Sequence, residues 1–208
     1  MALSSIPPSQ GCAACGHEHL VAFYETEEHL VATVVEYLVP ALAYGDSAIV
    51  VATAEHREAF AEEISFAGVD LDAATRDGRY QALDAADLLS RFMVGGAPEP
   101  RRFREVVERV LAGAAAEERE IRVYGEMVAL LWAEGDVMST IALEDLWNEL
   151  GAEHGFSLFC GYPVSGFDVQ SRSAFEHICG QHNTVRHPPL RATEAGPVEA
   201  DEQGETAS

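Results

Sequence analysis

Glu126 is the residue whose position most strongly suggests a binding site. It follows a β-branched and aromatic run that ends at a glycine, Gly125. This pattern predicts a strand, Ile121–Tyr124, that presents an acid at its carboxyl end. Open α/β sheets bind ligands at that edge, so Glu126 is the first candidate for a ligand contact.

Polar side chains also follow the other predicted strands, and in a parallel sheet they would meet Glu126 at the same edge. These side chains belong to Tyr24, Glu25, Thr53, Asp84, Cys160 and Tyr162. Carboxylates, phenols and a thiol would give a pocket with a polar mouth. The alternative is that each of them caps a helix or contacts water.

Two apolar residues, Met127 and Trp132, follow Glu126 on a predicted helix. They would desolvate the carboxylate, which suits a neutral or proton-linked ligand. The alternative is that both are core residues. The predicted ligand-binding set is Tyr24, Glu25, Glu126, Met127, Trp132, Cys160 and Tyr162.

A CxxC motif near the N-terminus, Cys12 and Cys15, is followed by His17 and His19. Thiolate and imidazole are zinc ligands, so these four residues are the predicted metal ligands and zinc is the candidate cofactor. The second half of a typical zinc site is missing from the nearby sequence. The alternatives are that Cys12 and Cys15 form a redox-active dithiol, or that this segment has no chemical role.

A second group of similar residues lies near the end of the last predicted helix: His177, Cys179, His182 and His187. One interpretation is a buried cysteine beside partly exposed histidines. Another is that the group folds back and completes the site begun by the N-terminal cysteines.

The composition excludes several classes of protein. The 208 residues are 48% hydrophobic, enough for one sizeable core, and 13 basic against 35 acidic residues give a net charge of −22. All basic residues are arginine, so no lysine can form a Schiff base or complete a phosphate loop. The acidic surface argues against binding to nucleic acid or to an anionic membrane.

The chain is expected to be cytoplasmic, since it begins without a signal-peptide pattern and contains no apolar run of membrane-spanning length. Residues 1–16 are expected to be a flexible segment carrying the CxxC motif. Residues 17–186 are predicted to form one folded domain, and residues 187–208 a disordered acidic tail.

Strands alternate with helices between these ends, which predicts an α/β fold with a mostly parallel sheet flanked by helices on both faces. The predicted strands are Leu20–Tyr24, Ser47–Thr53, Arg79–Leu83, Ile121–Tyr124 and Phe156–Cys160. The predicted helices are Glu27–Tyr44 with Thr26 as N-cap, Ala54–Ala67, Ala85–Met93, Arg101–Glu118, Met127–Ala133, Val137–His154 and Ser171–Gly180.

The segment after the first strand reads Glu25-Thr26-Glu27-Glu28, which would repel phosphate. Serine-hydrolase and zincin motifs are absent from the sequence. An enzyme using Glu126 and Glu25 as an acid–base pair would lack a nucleophile or cofactor motif, so the chain is expected not to be an enzyme.

Four short motifs occur in a recognisable order along the chain. They are His19–Glu25, Gly125-Glu126-Met127 with Trp132, Ala142–Asn148, and Leu158–Pro163. Together they resemble the MEDS sensory domain, named for methanogen and methylotroph regulators, over about His17 to Arg186.

The resemblance implies a RecA/KaiC-like fold without a phosphate-binding loop, used in bacterial signal transduction beside kinases, anti-sigma factors or transcription regulators. Members are thought to sense simple hydrocarbon derivatives. The sequence departs from that picture at two points: residues 187–208 are expected to be a tail and not an output domain, and the CxxC motif is not a general family feature.

The sequence therefore predicts a sensor that binds a small, weakly polar ligand and acts through a signalling protein partner. Its oligomeric state is left open, a homo-oligomer included. The alternative is a metal- or redox-responsive regulator centred on the N-terminal cysteines and histidines.

Overall fold

A computed structural model of the chain describes residues 18–115, 119–166 and 172–186. The strands in these ranges are β1 (His19–Tyr24), β2 (Ser47–Ala52), β3 (Tyr80–Asp84), β4 (Met93–Val94), β5 (Ala97–Pro98), β6 (Ile121–Gly125), β7 (Ser157–Pro163) and β8 (Thr184–Arg186). The helices are α1 (Glu27–Tyr44), α2 (Ala54–Phe66), α3 (Leu71–Arg76), α4 (Ala85–Ser90), α5 (Pro100–Ala114), α6 (Met127–Ala133), α7 (Val137–His154) and α8 (Arg172–Gln181).

Six strands form one sheet in the order β3-β2-β6-β7-β1-β8, and all neighbouring pairs are parallel. The sheet confirms the predicted α/β class. β2, β6, β7 and β1 lie inside it, which explains why their sequences are apolar on both faces.

Each face of the sheet has its own apolar core. Val21 and Cys160 lie in the core covered by α4 to α8, whereas Ala22 and Phe159 lie in the core covered by α1, α2 and α3. Successive residues of a strand point to opposite faces, so neighbours in sequence enter different cores. This alternation decides which candidate residues can meet.

Local capping chemistry sets several helix boundaries as predicted. The Thr26 hydroxyl accepts a hydrogen bond from the His29 N–H at the start of α1, and Gly45 ends the helix with a φ of 92°. Thr53 and Asp84 cap α2 and α4 in the same way. Both were candidates for the sheet edge, and helix capping is the role their side chains have in the structure.

Some predicted boundaries were wrong. The helix predicted over Ala85–Met93 ends at Ser90, because Met93 begins a small antiparallel hairpin, β4–β5. The hairpin turns at Gly95-Gly96, both with positive φ, as a two-residue turn requires. The helix predicted over Arg101–Glu118 is α5, which ends at Ala114.

Two short elements, α3 and β8, were not predicted. α3 has six residues and β8 has three, too few for a periodic pattern to be recognised. β8 pairs with β1 and forms one edge of the sheet. The expected flexible segment 1–16 and the tail 187–208 lie outside the described residues. None of the helices within those ranges is long and apolar enough to cross a membrane.

Candidate functional site

The carboxylate of Glu126 is held at the carboxyl end of the sheet by two donors. The backbone N–H of Thr53 donates to Oε2 at 2.8 Å, and His56 Nδ1 lies 2.6 Å from Oε1. The Glu126 backbone N–H donates to the Val51 carbonyl at 2.9 Å, which fixes the start of α6 against β2. Glu126 is thus locked between the ends of β2 and β6.

The opposite nitrogen of His56, Nε2, contacts the carboxylate of Glu27. Glu27, His56 and Glu126 form what we call the carboxyl-edge triad. Their side chains are 65%, 12% and 6% exposed, respectively. One end of the triad is therefore open to solvent and the other is buried.

Two carboxylates stabilise the charged form of His56. Its hydrogen bond to Glu126 raises the pKa to about 9, against the opposing effect of burial, with a further contribution from Glu27. His56 is therefore a charged imidazolium at neutral pH. Burial, reinforced by Glu27 and Glu126, also raises the pKa of Tyr24, so this phenol stays neutral beside the triad.

A second polar group lies deep in the core between the sheet and α7. We call it the buried centre, and its members are His19, Glu144, Cys160 and His182. Each side chain offers one donor atom, and all these atoms lie within 4.8 Å of one another. All four residues are at most 6% exposed.

Four different elements supply the buried centre. His19 begins β1, Cys160 lies in β7, Glu144 lies in α7, and His182 follows α8 directly. β1 and β7 pair in parallel with Val21 opposite Cys160, so His19 and Cys160 point to the same face. That is the face covered by α7 and α8.

Neighbouring groups orient the residues of the buried centre. The Tyr162 hydroxyl donates to Glu144 Oε1 at 2.6 Å. His19 Nδ1 donates to Asn148 Oδ1 at 2.7 Å, and His182 Nδ1 donates to the Ile178 carbonyl at 2.6 Å. Each imidazole therefore turns its Nε2 atom toward the centre.

Burial controls the protonation of the buried centre. It lowers the pKa of His182 to about 4, which leaves a neutral imidazole at pH 7, and it raises the pKa of Cys160 well above the ordinary thiol value. Burial would also raise the pKa of Glu144, but the imidazoles and the Tyr162 hydroxyl outweigh it and lower the pKa.

The predicted convergence of Cys160 and Tyr162 with Glu126 at one edge was wrong. The predicted last strand, Phe156–Cys160, is β7, which continues to Pro163, so both residues lie inside a strand. Both side chains are fully buried and contact Glu144 instead.

The other predicted ligand residues divide between the two faces of the sheet. Tyr24 lies in the α1 and α2 core beside the triad, and Glu25 is exposed at the end of β1. Met127 and Trp132 are buried in the opposite core, where Trp132 packs edge-on against Tyr162 with ring centroids 6.2 Å apart. The predicted set is therefore not one site.

Of the predicted metal ligands, Cys12, Cys15 and His17 lie outside the described residues. His19 is described and belongs to the buried centre. His182, from the second histidine group, lies beside it with ring centroids 4.0 Å apart, whereas His177 is exposed. His187 again lies outside the described residues.

Three site residues, Glu27, His56 and Glu144, did not emerge from the sequence as candidates, and Glu27 was noted only for its negative charge after the first strand. Glu144 lies on the buried stripe of α7 with Thr140, Leu143 and Trp147, at helical spacing. An acid within an apolar stripe was the available signal. His56 lies one turn into α2, beyond the strand-end positions on which the sequence argument relied.

A separate open cleft of about 270 Å³ lies between the first half of α1 and β8. It is lined by Ala22, Phe23, His29, Thr33, Glu36 and Arg186. None of the predicted ligand-binding residues lines it.

Comparison with solved structures places this fold among known proteins. A KaiC-like protein from the hyperthermophilic archaeon Pyrococcus horikoshii OT3 matches with a TM-score of 0.50 and 15% sequence identity. The match covers 74% of this chain and 65% of that structure, so this chain spans less than two thirds of its length. The parallel sheet and its two helical layers thus define an α/β protein of KaiC-like fold.

The family model for the methanogen/methylotroph, DcmR sensory domain, MEDS, matches residues 18–183. The chain belongs to the MEDS family of sensory domains. Comparison with curated proteins finds no significant match. The family assigns a sensory role to the chain, and the match includes both the carboxyl-edge triad and the buried centre.

Proposed function

We propose that this chain is a cytoplasmic sensory domain that binds a small, weakly polar molecule at the carboxyl-edge triad. The bound state is read by a protein partner, such as a kinase, an anti-sigma factor or a transcription regulator. The family supplies the sensory role, and the geometry of the triad supports the location.

The observation that carries the proposal is the unequal exposure of the two carboxylates that contact His56. Glu126 is buried and held by a backbone N–H, whereas Glu27 is mostly exposed. A ligand oxygen can replace Glu27 on the Nε2–H of the imidazolium while Glu126 keeps the ring oriented.

Aromatic rings pack next to the His56 imidazole, although Phe60 itself is fully buried. His56 stacks on Phe60 with ring centroids 5.8 Å apart, and the neutral Tyr24 ring is adjacent. An alcohol, a ketone or a halogenated hydrocarbon combines a small polar group with a short apolar body. Such molecules suit one strong donor beside aromatic rings.

The same region argues against nucleotide hydrolysis. Only Glu25 and Thr26 link β1 to α1, whereas a phosphate-binding loop spans about eight residues and ends in Lys and Ser or Thr. The chain contains no lysine, and Glu25, Glu27 and Glu28 place negative charge there. We therefore propose a binding function without catalysis, which an ATP hydrolysis assay on the purified protein tests directly.

A thermal-shift screen of short alcohols, ketones, amides and halogenated hydrocarbons tests the ligand site. Compounds that raise the Tm of the wild type should lose their effect in His56→Gln and Glu126→Gln. Glu55→Gln is the matched control, because Glu55 is an exposed acid in the first turn of α2.

A compound that still stabilises both His56→Gln and Glu126→Gln would place the ligand elsewhere. Trp132→Ala then tests whether the ligand binds on the opposite face of the sheet, where Trp132 packs beside Tyr162. Loss of the effect only in that variant would contradict the proposed site.

A further inference from the structure

We propose that His19, Glu144, Cys160 and His182 bind a divalent transition metal ion, and that Zn²⁺ is the ion that suits this site. The four side chains supply two imidazole nitrogens, one carboxylate oxygen and one sulfur. These are the donor types found in protein zinc sites.

Four of the six distances between the donor atoms match a tetrahedral metal site, and the other two are no longer than 4.8 Å. Glu144 Oε2 lies 3.4 Å from His19 Nε2, 3.5 Å from His182 Nε2 and 3.6 Å from Cys160 Sγ. His19 Nε2 lies 3.5 Å from Cys160 Sγ. Zinc bonds of about 2.0–2.3 Å at tetrahedral angles separate neighbouring donors by about 3.3–3.7 Å.

These distances are long for direct hydrogen bonds between the imidazoles and the carboxylate. Such bonds measure about 2.7–3.2 Å, and the outward contacts of the same residues are 2.6–2.7 Å. The side chains therefore make close contacts with their supporting groups and keep wider separations around the centre. A metal ion bound between the four side chains would account for both the close supporting contacts and the wider separations.

The supporting contacts leave the correct atom of each imidazole for a metal. Nδ1 of His19 donates to Asn148, and Nδ1 of His182 donates to a backbone carbonyl, so the Nε2 lone pairs face the centre. Ligand histidines in metal sites are oriented in this way by their second nitrogen. Asn148 is itself fixed, because its Nδ2 donates to Gln181 Oε1 at 3.0 Å.

An uncompensated polar atom points into the same space. His182 Nε2 is buried and makes no hydrogen bond within the described part of the chain, although it lies 3.5 Å from Glu144 Oε2. Buried polar atoms without such a bond are uncommon and require an explanation. A metal ion in the centre would satisfy His182, Glu144 and Cys160 together.

The metal site would be closed to further ligands, and metal binding would release a proton. Four protein ligands fill a tetrahedral shell and leave no open position for a reacting water, which is the arrangement of a structural zinc site. The metal ion displaces the proton from the Cys160 thiol, so each ion bound releases one proton to solvent. The ion would tie the segment after α8 to β1 and β7, because His182 follows that helix directly.

Metal analysis of the full chain tests the proposal. The protein, treated with a chelator and reloaded with Zn²⁺, should bind one ion that Cys160→Ser and His182→Gln no longer retain. Cys179→Ser and His177→Gln are matched controls from α8, and both should retain it. Asn148→Leu should weaken Zn²⁺ binding by about 10–100-fold, as loss of a supporting contact does elsewhere.

A titration of the wild type with Co²⁺ needs no variant and covers the case in which a substitution prevents folding. The expected result is a tetrahedral visible spectrum with a thiolate-to-cobalt charge-transfer band. The proposal is overturned if that band is absent. It is equally overturned if the combined Cys12→Ser and Cys15→Ser substitutions abolish binding, because the ion would then belong to the N-terminal segment.

Discussion

The molecule contains two histidine–carboxylate groups that differ in their access to solvent. The buried centre, from His19, Glu144, Cys160 and His182, is closed on every side by the core. The carboxyl-edge triad also places an imidazole, that of His56, beside a buried carboxylate, that of Glu126. Its second carboxylate, that of Glu27, is mostly exposed. Similar residue types thus occupy two different dielectric environments.

The difference follows from the position of each residue along its strand. Cys160 lies within β7 and His19 at the start of β1, so their side chains enter a layer covered by helices. Glu126 comes directly after β6, where the carboxyl edge of the sheet meets solvent. A closed group suits a permanently held cation, and a half-open group suits an exchangeable ligand.

The largest expected effect is on stability, at the buried centre. We expect Glu144→Ala to lower the free energy of unfolding by about 3–5 kcal/mol, because it opens a cavity in the core and leaves the Tyr162 hydroxyl without its buried acceptor. Urea denaturation measures the change. Glu149→Ala, an exposed acid on the same helix, is the control, and equal losses in both variants would contradict the comparison.

A narrower change removes only one hydrogen bond from the buried centre. Tyr162→Phe keeps the ring but removes the hydroxyl that donates to Glu144 Oε1 at 2.6 Å. Hydrogen bonds to charged groups are worth about 1.5–3 kcal/mol, and urea denaturation should show a loss in that range. Tyr44→Phe, at an exposed ring, should change stability little, and a loss no greater than the control's would mean that the bond is not formed in solution.

Much of the fold could be predicted because it depends on local chemistry. The limits of α1 follow from Thr26 and Gly45, and the strand before Glu126 follows from its β-branched run. The buried centre could not be predicted in this way. His19 and Cys160 are 141 residues apart, and no local pattern specifies that β1 pairs with β7 or that α8 packs beside them.

The triad should make stability depend on pH through His56. Its pKa is raised from 6.5 to about 9 in the folded chain, so the contribution is fully present below pH 6.5 and is lost as the pH rises through about 9. Urea denaturation below pH 6.5 and above about pH 9 should show that the free energy of unfolding of the wild type falls as the pH rises. The fall should be smaller in His56→Gln. Identical pH profiles would exclude a charged His56 in the folded protein.

The smallest effect is expected at the open end of the triad. Glu27→Gln should cost only about 0.2–1 kcal/mol, because an exposed ion pair is screened by water. The same substitution should leave His56 free to accept a ligand oxygen, so the hits from the thermal-shift screen should bind as well as before or better. Glu28→Gln, at the neighbouring exposed acid, controls for the change in charge. If Glu27→Gln instead abolishes binding while Glu28→Gln does not, Glu27 contacts the ligand directly and the ligand does not displace its carboxylate from His56.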